Sequence, residues 1–128
     1  MSKGGSKVTP SVELKGRLLT GQAAKGMALV TSEPISFFGG LDPRSGRVIE
    51  RGHAAEGQRV TRKVLVFPQG KGSTVGAYVI YAMAKYNTAP AAIVNRETEV
   101  IIASGCALAD ITLVDKLDKD PISVIRTG

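Results

Sequence analysis

The alternation of apolar and polar positions divides the chain into short segments. From Val12 to Leu19, Val12, Leu14 and Leu18 are separated by charged residues and Gly16, a period of two that predicts a strand. Met27–Thr31 reads as a short buried strand redirected at Glu33-Pro34. Two glycines and an Asp-Pro step in Phe37–Pro43 predict a loop with no regular element. Strands are expected again at Gly46–Glu50 and at Arg59–Phe67, where Val60, Val64, Leu65, Val66 and Phe67 favour extended backbone before Pro68 stops it. Past Gln69–Thr74 the period changes. Val75, Val79 and Met83 recur four apart, with Tyr78 and Ala82 on the same broad face, which predicts a helix over Val75–Lys85. Ala91–Val94, Glu99–Ala103 and Ile111–Val114 then read as three more short strands.

About seven strands and one main helix describe an α/β domain of layered or barrel-like kind. A doubly wound sheet would need more helices, because one helix cannot cover both faces of a parallel sheet. At 128 residues, 43% hydrophobic, the chain suits one domain, expected over 12–128 behind a flexible N-terminus at 1–11. A domain of this size holds a core without disulfide or metal. The longest apolar run, Val75–Ala84, is about half a membrane span and is closed by Lys85, and Met1–Lys7 lacks the apolar stretch of a secretory signal. With a single cysteine, these features predict a soluble cytoplasmic protein.

Charge changes the picture through its placement. Of the net +6, the segment Arg44–Lys71 carries +5, with seven basic residues against Glu50 and Glu56, while Gly72 to the end carries −1. Such a field draws anions; its plainer reading is a solvated surface. Nucleic acid fits poorly, since the three Phe and three Tyr lie mostly in apolar runs and leave no stacking platform. Cys106 between Gly105 and apolar neighbours reads as buried filler, and one cysteine with one histidine cannot cage a metal or cluster.

The Gly70-Lys71-Gly72-Ser73-Thr74 turn is the most informative feature. Its glycines let a ligand approach the main chain, the helix it opens offers unpaired amides to a phosphate or carboxylate, and Lys71 adds a charge. The Walker A spacing and the Gly-x-Ser-x-Gly nucleophile pattern are both absent. Equally, Ser73 caps a helix and the glycines make a tight turn. A second glycine loop, Gly39-Gly40-Leu41-Asp42, can face the first across a site, although Asp42 also suits a turn that bonds its own backbone. His53, with Glu56 three residues on, is open to a structural role or a substrate contact.

Gly39-Gly40-Leu41-Asp42-Pro43, Gly46, Gly52-His53 with Gly57, Val64 through Thr74 and Ala89-Pro90-Ala91-Ala92-Ile93-Val94, in this order, resemble the small subunit of the aconitase X family, with Pro68-Gln69-Gly70-Lys71-Gly72-Ser73 the most specific part. The resemblance spans Val12–Leu117. It implies the swivelling β/β/α domain of the aconitase superfamily, paired as a heterodimer with a large subunit that holds an iron–sulfur (4Fe-4S) cluster, and no cofactor in this chain. The implied reaction is dehydration of (R)-5-phosphomevalonate to trans-anhydromevalonate 5-phosphate, in a modified mevalonate route to isoprenoids. Ser73 matches the superfamily's serine base. Gly39, Gly40, Asp42, Lys71, Gly72 and Thr74 are the accompanying candidate contacts to a phosphorylated hydroxy acid. The aconitase Gly-Ser-Ser-Arg form is replaced here, with Thr74 for the second serine and Val75 for the arginine, so the cation that would take the missing guanidinium's place is expected to be Lys71 or an arginine of Arg44–Arg62. A hydroxyproline dehydratase subunit and a non-catalytic anion-binding or regulatory module are the alternatives.

Overall fold

The computed structural model describes residues 17–21 and 24–127. Residues 1–11, and residues 12–16 of the first predicted strand, lie outside the described residues. In chain order the elements are β1 (Arg17–Thr20), β2 (Ala28–Val30), β3 (Leu41–Asp42), β4 (Arg47–Val48), β5 (Val64–Phe67), α1 (Gly76–Lys85), β6 (Ala92–Asn95), α2 (Val100–Ala109), β7 (Thr112–Asp115) and α3 (Pro121–Val124). Five strands form one sheet in the order β1-β7-β6-β5-β2. The last four run parallel and β1 pairs antiparallel on the β7 edge. β3 and β4 make a separate antiparallel pair.

Register follows from burial. Leu29, Leu65, Ile93 and Leu113 lie side by side across four strands. All four are buried in one core with Ile80 and Met83 of α1 and Ile102 and Cys106 of α2. A slip of one residue would turn this row to the opposite face of the sheet.

The predicted strand at Glu99–Ala103 is instead the start of α2. Val100, Ile101 and Ile102 favour extended backbone when read alone. The Glu99 carboxylate overrides them, accepting from the Ile101 amide through Oε2 and the Ile102 amide through Oε1, each at 2.9 Å, and so satisfying the donors that a helix start leaves unpaired. The single main helix thereby becomes two helices of ten residues. They cross closely because Gly105 has no side chain: a β-carbon there would stand 2.6 Å from Ile80 Cδ1 and 3.2 Å from Ala77 Cα.

Two further expectations change. The predicted Arg59–Phe67 strand is regular only over Val64–Phe67, because Arg62 turns left-handed (φ 58°), while Arg59 bridges Arg47 in isolation. Phe37–Pro43 is not wholly irregular. Phe37–Gly40 makes a helix-like turn, interrupted by extended Phe38 and left-handed Gly39, and Leu41–Asp42 pairs with Arg47–Val48. No helix among the described residues is long and apolar enough to cross a membrane.

Asp115 fixes the sheet edge. Its fully buried carboxylate accepts from Arg17 Nε at 2.9 Å, Arg17 Nη2 at 3.0 Å and the Thr98 amide at 2.8 Å. Chiefly through the Arg17 bonds, its carboxyl is held below the usual aspartate range. A pKa lowered on folding contributes stability that is complete above the unfolded value and is lost as pH falls through the folded one. Asp115→Asn should therefore cost about 2 kcal/mol at neutral pH and give a shallower loss of melting temperature on acidification. Parallel acid profiles for the two proteins would contradict this role.

Candidate active site

The site grows from the end of β5. Beyond Phe67 and Pro68 the chain runs beside the segment after β2: Gln69 O accepts from the Ile35 amide at 3.2 Å, and the Lys71 amide donates to Ile35 O at 3.0 Å. Gly70 forms the corresponding parallel bridge to Ile35. Gly72 then turns at φ 89°, and a β-carbon on it would stand 2.5 Å from Ser36 Oγ, so only glycine lets the two segments approach this closely. The result is a cavity of about 380 Å³ lined by Ser36, Phe38, Gly39, Gly40, Glu50, Lys71 and Gly72.

Four of the sequence-predicted residues, Gly39, Gly40, Lys71 and Gly72, thus meet around one cavity. Ser73 and Thr74 follow directly, exposed, at the opening of α1. Ser73 Oγ accepts from the Val75 amide at 3.1 Å, and Ser73 O accepts from the Gly76 amide at 2.9 Å. The amides of Gly72, Ser73 and Thr74 donate to no group among the described residues. Successive free N–H groups at a helix start form a concavity suited to an anion.

Asp42 does not line the cavity. Its carboxylate accepts from Ser45 Oγ at 2.8 Å and from the Arg44 amide at 3.1 Å, bonds that hold its pKa below the usual range, Ser45 first. It closes the turn between β3 and β4. His53 is buried and its ring spans two loops: Nδ1 accepts from the Ala55 amide at 2.9 Å, so Nε2 carries the proton and donates to Pro34 O at 3.0 Å. With both nitrogens engaged it fastens the loop after β4 to the one after β2.

Most arginines of the basic segment brace the same hairpin. Arg47 Nη1 donates to Gly57 O at 2.9 Å, Arg59 Nε to Ser45 O at 3.1 Å, and the Arg44 guanidinium lies over the Tyr86 ring. Lys71 alone of that segment's basic residues lines the cavity. Its Nζ donates to Glu50 Oε2 at 3.0 Å, while Glu50 Oε1 is buried without a hydrogen-bond partner. Neither Glu50 nor Ser36 is a site candidate on sequence grounds. An acid standing within a basic run was the signal available for Glu50.

The residues present do not fit an iron–sulfur cluster. Cys106 is fully buried, and burial pushes its thiol up to about 12, away from the thiolate a cluster needs. No group of three or more His, Cys, Asp or Glu among the described residues is placed to hold a metal.

A four-strand parallel sheet with one antiparallel edge, two helices packed on one row of its core and an exposed serine turn at the opening of α1 are the features of a layered, swivel-type domain. The aconitase X swivel-domain model matches residues 13–128, and the chain belongs to that family. The phosphomevalonate dehydratase small subunit of Methanosarcina mazei is 49% identical over 117 residues, covering 91% of this chain and 81% of that protein. That of Thermococcus kodakarensis is 47% identical, covering 91% and 86%. A crystal structure of Thermococcus kodakaraensis aconitase X in its holo-form superposes with a TM-score of 0.85 at 48% identity, covering 90% of this chain and 86% of that one. The mixed α/β swivel fold expected from the sequence is therefore established.

The Lys71–Glu50 pair makes a stability prediction. Lys71→Met should leave a partly buried carboxylate with neither oxygen paired to a side chain and cost about 1 kcal/mol, more than the loss of an open surface pair. Adding Glu50→Gln should recover most of that loss in urea unfolding, and strictly additive losses would show that the two side chains are uncoupled.

Proposed function

We propose that this chain is the small subunit of a cytoplasmic hydro-lyase that converts (R)-5-phosphomevalonate to trans-anhydromevalonate 5-phosphate, with Ser73 as the base. The observation that carries the reading is the Gly70–Thr74 turn: an exposed serine, three free amides and a cavity-lining lysine converge at the start of α1, in a chain 47–49% identical to phosphomevalonate dehydratase small subunits over 91% of its length.

Dehydration of a 3-hydroxy acid breaks the C–H bond beside the carboxylate and the C–O bond one carbon further on. Ser73 Oγ, as its alkoxide, takes the proton; the freed electron pair becomes the carbon–carbon double bond; the hydroxyl leaves as hydroxide with the C–O electron pair and becomes water on taking a proton from solvent. Serine is a weak base unless its oxyanion is stabilised. The Val75 amide, already donating to Oγ, and the dipole of α1 do this from fixed positions. Lys71 and the free amides of Gly72 and Thr74 bind an anionic group of the substrate, with Gly39 and Gly40 leaving the cavity wall open to it. An iron–sulfur cluster on the large subunit would supply a Lewis acid for the departing hydroxyl, since one cysteine and one histidine are too few ligands to hold a cluster on this chain.

Ser73→Ala tests the assignment in the assembled enzyme. Loss of a base acting mainly in the transition state should lower kcat by at least about a hundredfold with KM little changed. A serine that served only as a cap would cost about 1 kcal/mol of stability and leave turnover per folded molecule near normal. Thr74→Ala, which removes a hydroxyl from the same turn, should keep kcat within about threefold of the parent. A hundredfold loss in Thr74→Ala together with near-normal turnover in Ser73→Ala would overturn the assignment.

A further inference from the structure

α2 carries no charged side chain in any of its ten residues, Val-Ile-Ile-Ala-Ser-Gly-Cys-Ala-Leu-Ala. Its inner face, through Ile102, Gly105 and Cys106, is core. Its outer face is uncharged as well, with Val100 70% and Leu108 54% exposed. A helix apolar on every side is ordinarily covered on every side. Between this face and the first turns of α1 lies a second cavity of about 310 Å³, open along a groove whose walls include Thr74, Tyr78, Val100, Ser104 and Leu108; Tyr78 is 67% exposed.

We infer that this groove is the seat of the large subunit, which inserts an uncharged apolar side chain between Tyr78 and Leu108. The inference rests on the reading of the chain as a small subunit. Position selects the occupant. Thr74 belongs both to the groove and to the catalytic turn, so whatever covers the groove also closes over Ser73. An exposed serine can work as an alkoxide only when water is excluded around it. A second copy of this chain would shield Ser73 while bringing no ligand set for the cluster. Charge points the same way: the basic excess lies in Arg44–Lys71, off the groove, so docking here is driven by apolar burial and depends little on salt.

The test titrates the full chain into its purified large subunit, without substrate, by calorimetry at low and high salt. Val100→Glu and Leu108→Glu should each raise Kd at least about tenfold while the isolated variants melt as the parent does; Glu suits Val100 at the start of a helix. Turnover should return at saturating variant. Met27→Glu, a substitution at an equally exposed apolar side chain on the β2 edge, should leave Kd unchanged. Unchanged Kd in both groove variants, equal weakening by Met27→Glu, or an isolated parent chain that sediments as a dimer and becomes monomeric on Val100→Glu would overturn the docking site. A complex that forms with groove-dependent Kd yet leaves phosphomevalonate intact would overturn the proposed function and keep the docking site. An active dehydratase indifferent to both groove variants would do the reverse.

Discussion

The contact on which the site depends is the one between the bare Gly70 and the beginning of α2. A β-carbon on Gly70 would lie 2.5 Å from Glu99 Oε1 and 2.6 Å from Ile102 Cγ1. Glu99 cannot withdraw, because both its oxygens hold the amides that start α2. Close packing leaves no slack to share between them. The chain leaving β5 is therefore pressed onto α2, and the turn that follows is aimed before α1 begins. The same economy of side chains recurs at Gly76, against Ile101 and Phe37, and at Gly105, against Ile80 and Ala77. Three missing side chains thus set the spacing of α1, α2 and the serine turn, and the buried row Leu29-Leu65-Ile93-Leu113 gives them a rigid floor.

That geometry fits the proposed sharing of the chemistry between two subunits. A base must be held still and a metal cluster must be held by several thiolates; the serine turn is braced against α2, while the chain has a single, buried cysteine. Of the arginines in the basic segment, Arg47 and Arg59 donate to the carbonyls of Gly57 and Ser45 and Arg44 lies over Tyr86, and Lys71 is the basic residue of that segment that lines the cavity. Glu50 holds Lys71 in place, and its Oε1, buried without a hydrogen-bond partner, stands beside Gly40.

Much of this was legible in the residues. The four-residue recurrence of Val75, Val79 and Met83 located α1, and β-branched runs located β5, β6 and β7, because those signals are local. α2 was not legible, since Val100-Ile101-Ile102 alone favours a strand and the deciding interaction, the Glu99 cap, competes with that preference only once Gly70 and Gly105 have made room for the helix. The glycine turn with Ser73 could be read from spacing. That Gly39 and Gly40 can face it was one reading of the sequence, and the bridge of Ile35 to Gly70, 35 residues apart, brings them together. The pairing of Glu50 with Lys71, 21 residues apart, is long-range and leaves no periodicity to read. Asp42 had two readings, and its bonds to Ser45 and Arg44 are those of the turn-former.

The role of Ser73 is tested most directly by running the reaction backwards in deuterium oxide. The complete enzyme, given trans-anhydromevalonate 5-phosphate, should deliver deuterium to the carbon beside the carboxylate of the phosphomevalonate it forms. A complex assembled to the same extent with Ser73→Ala should deliver almost none. Deuterium appearing there at the parental rate in the Ser73→Ala complex would contradict the assignment of proton transfer to this chain.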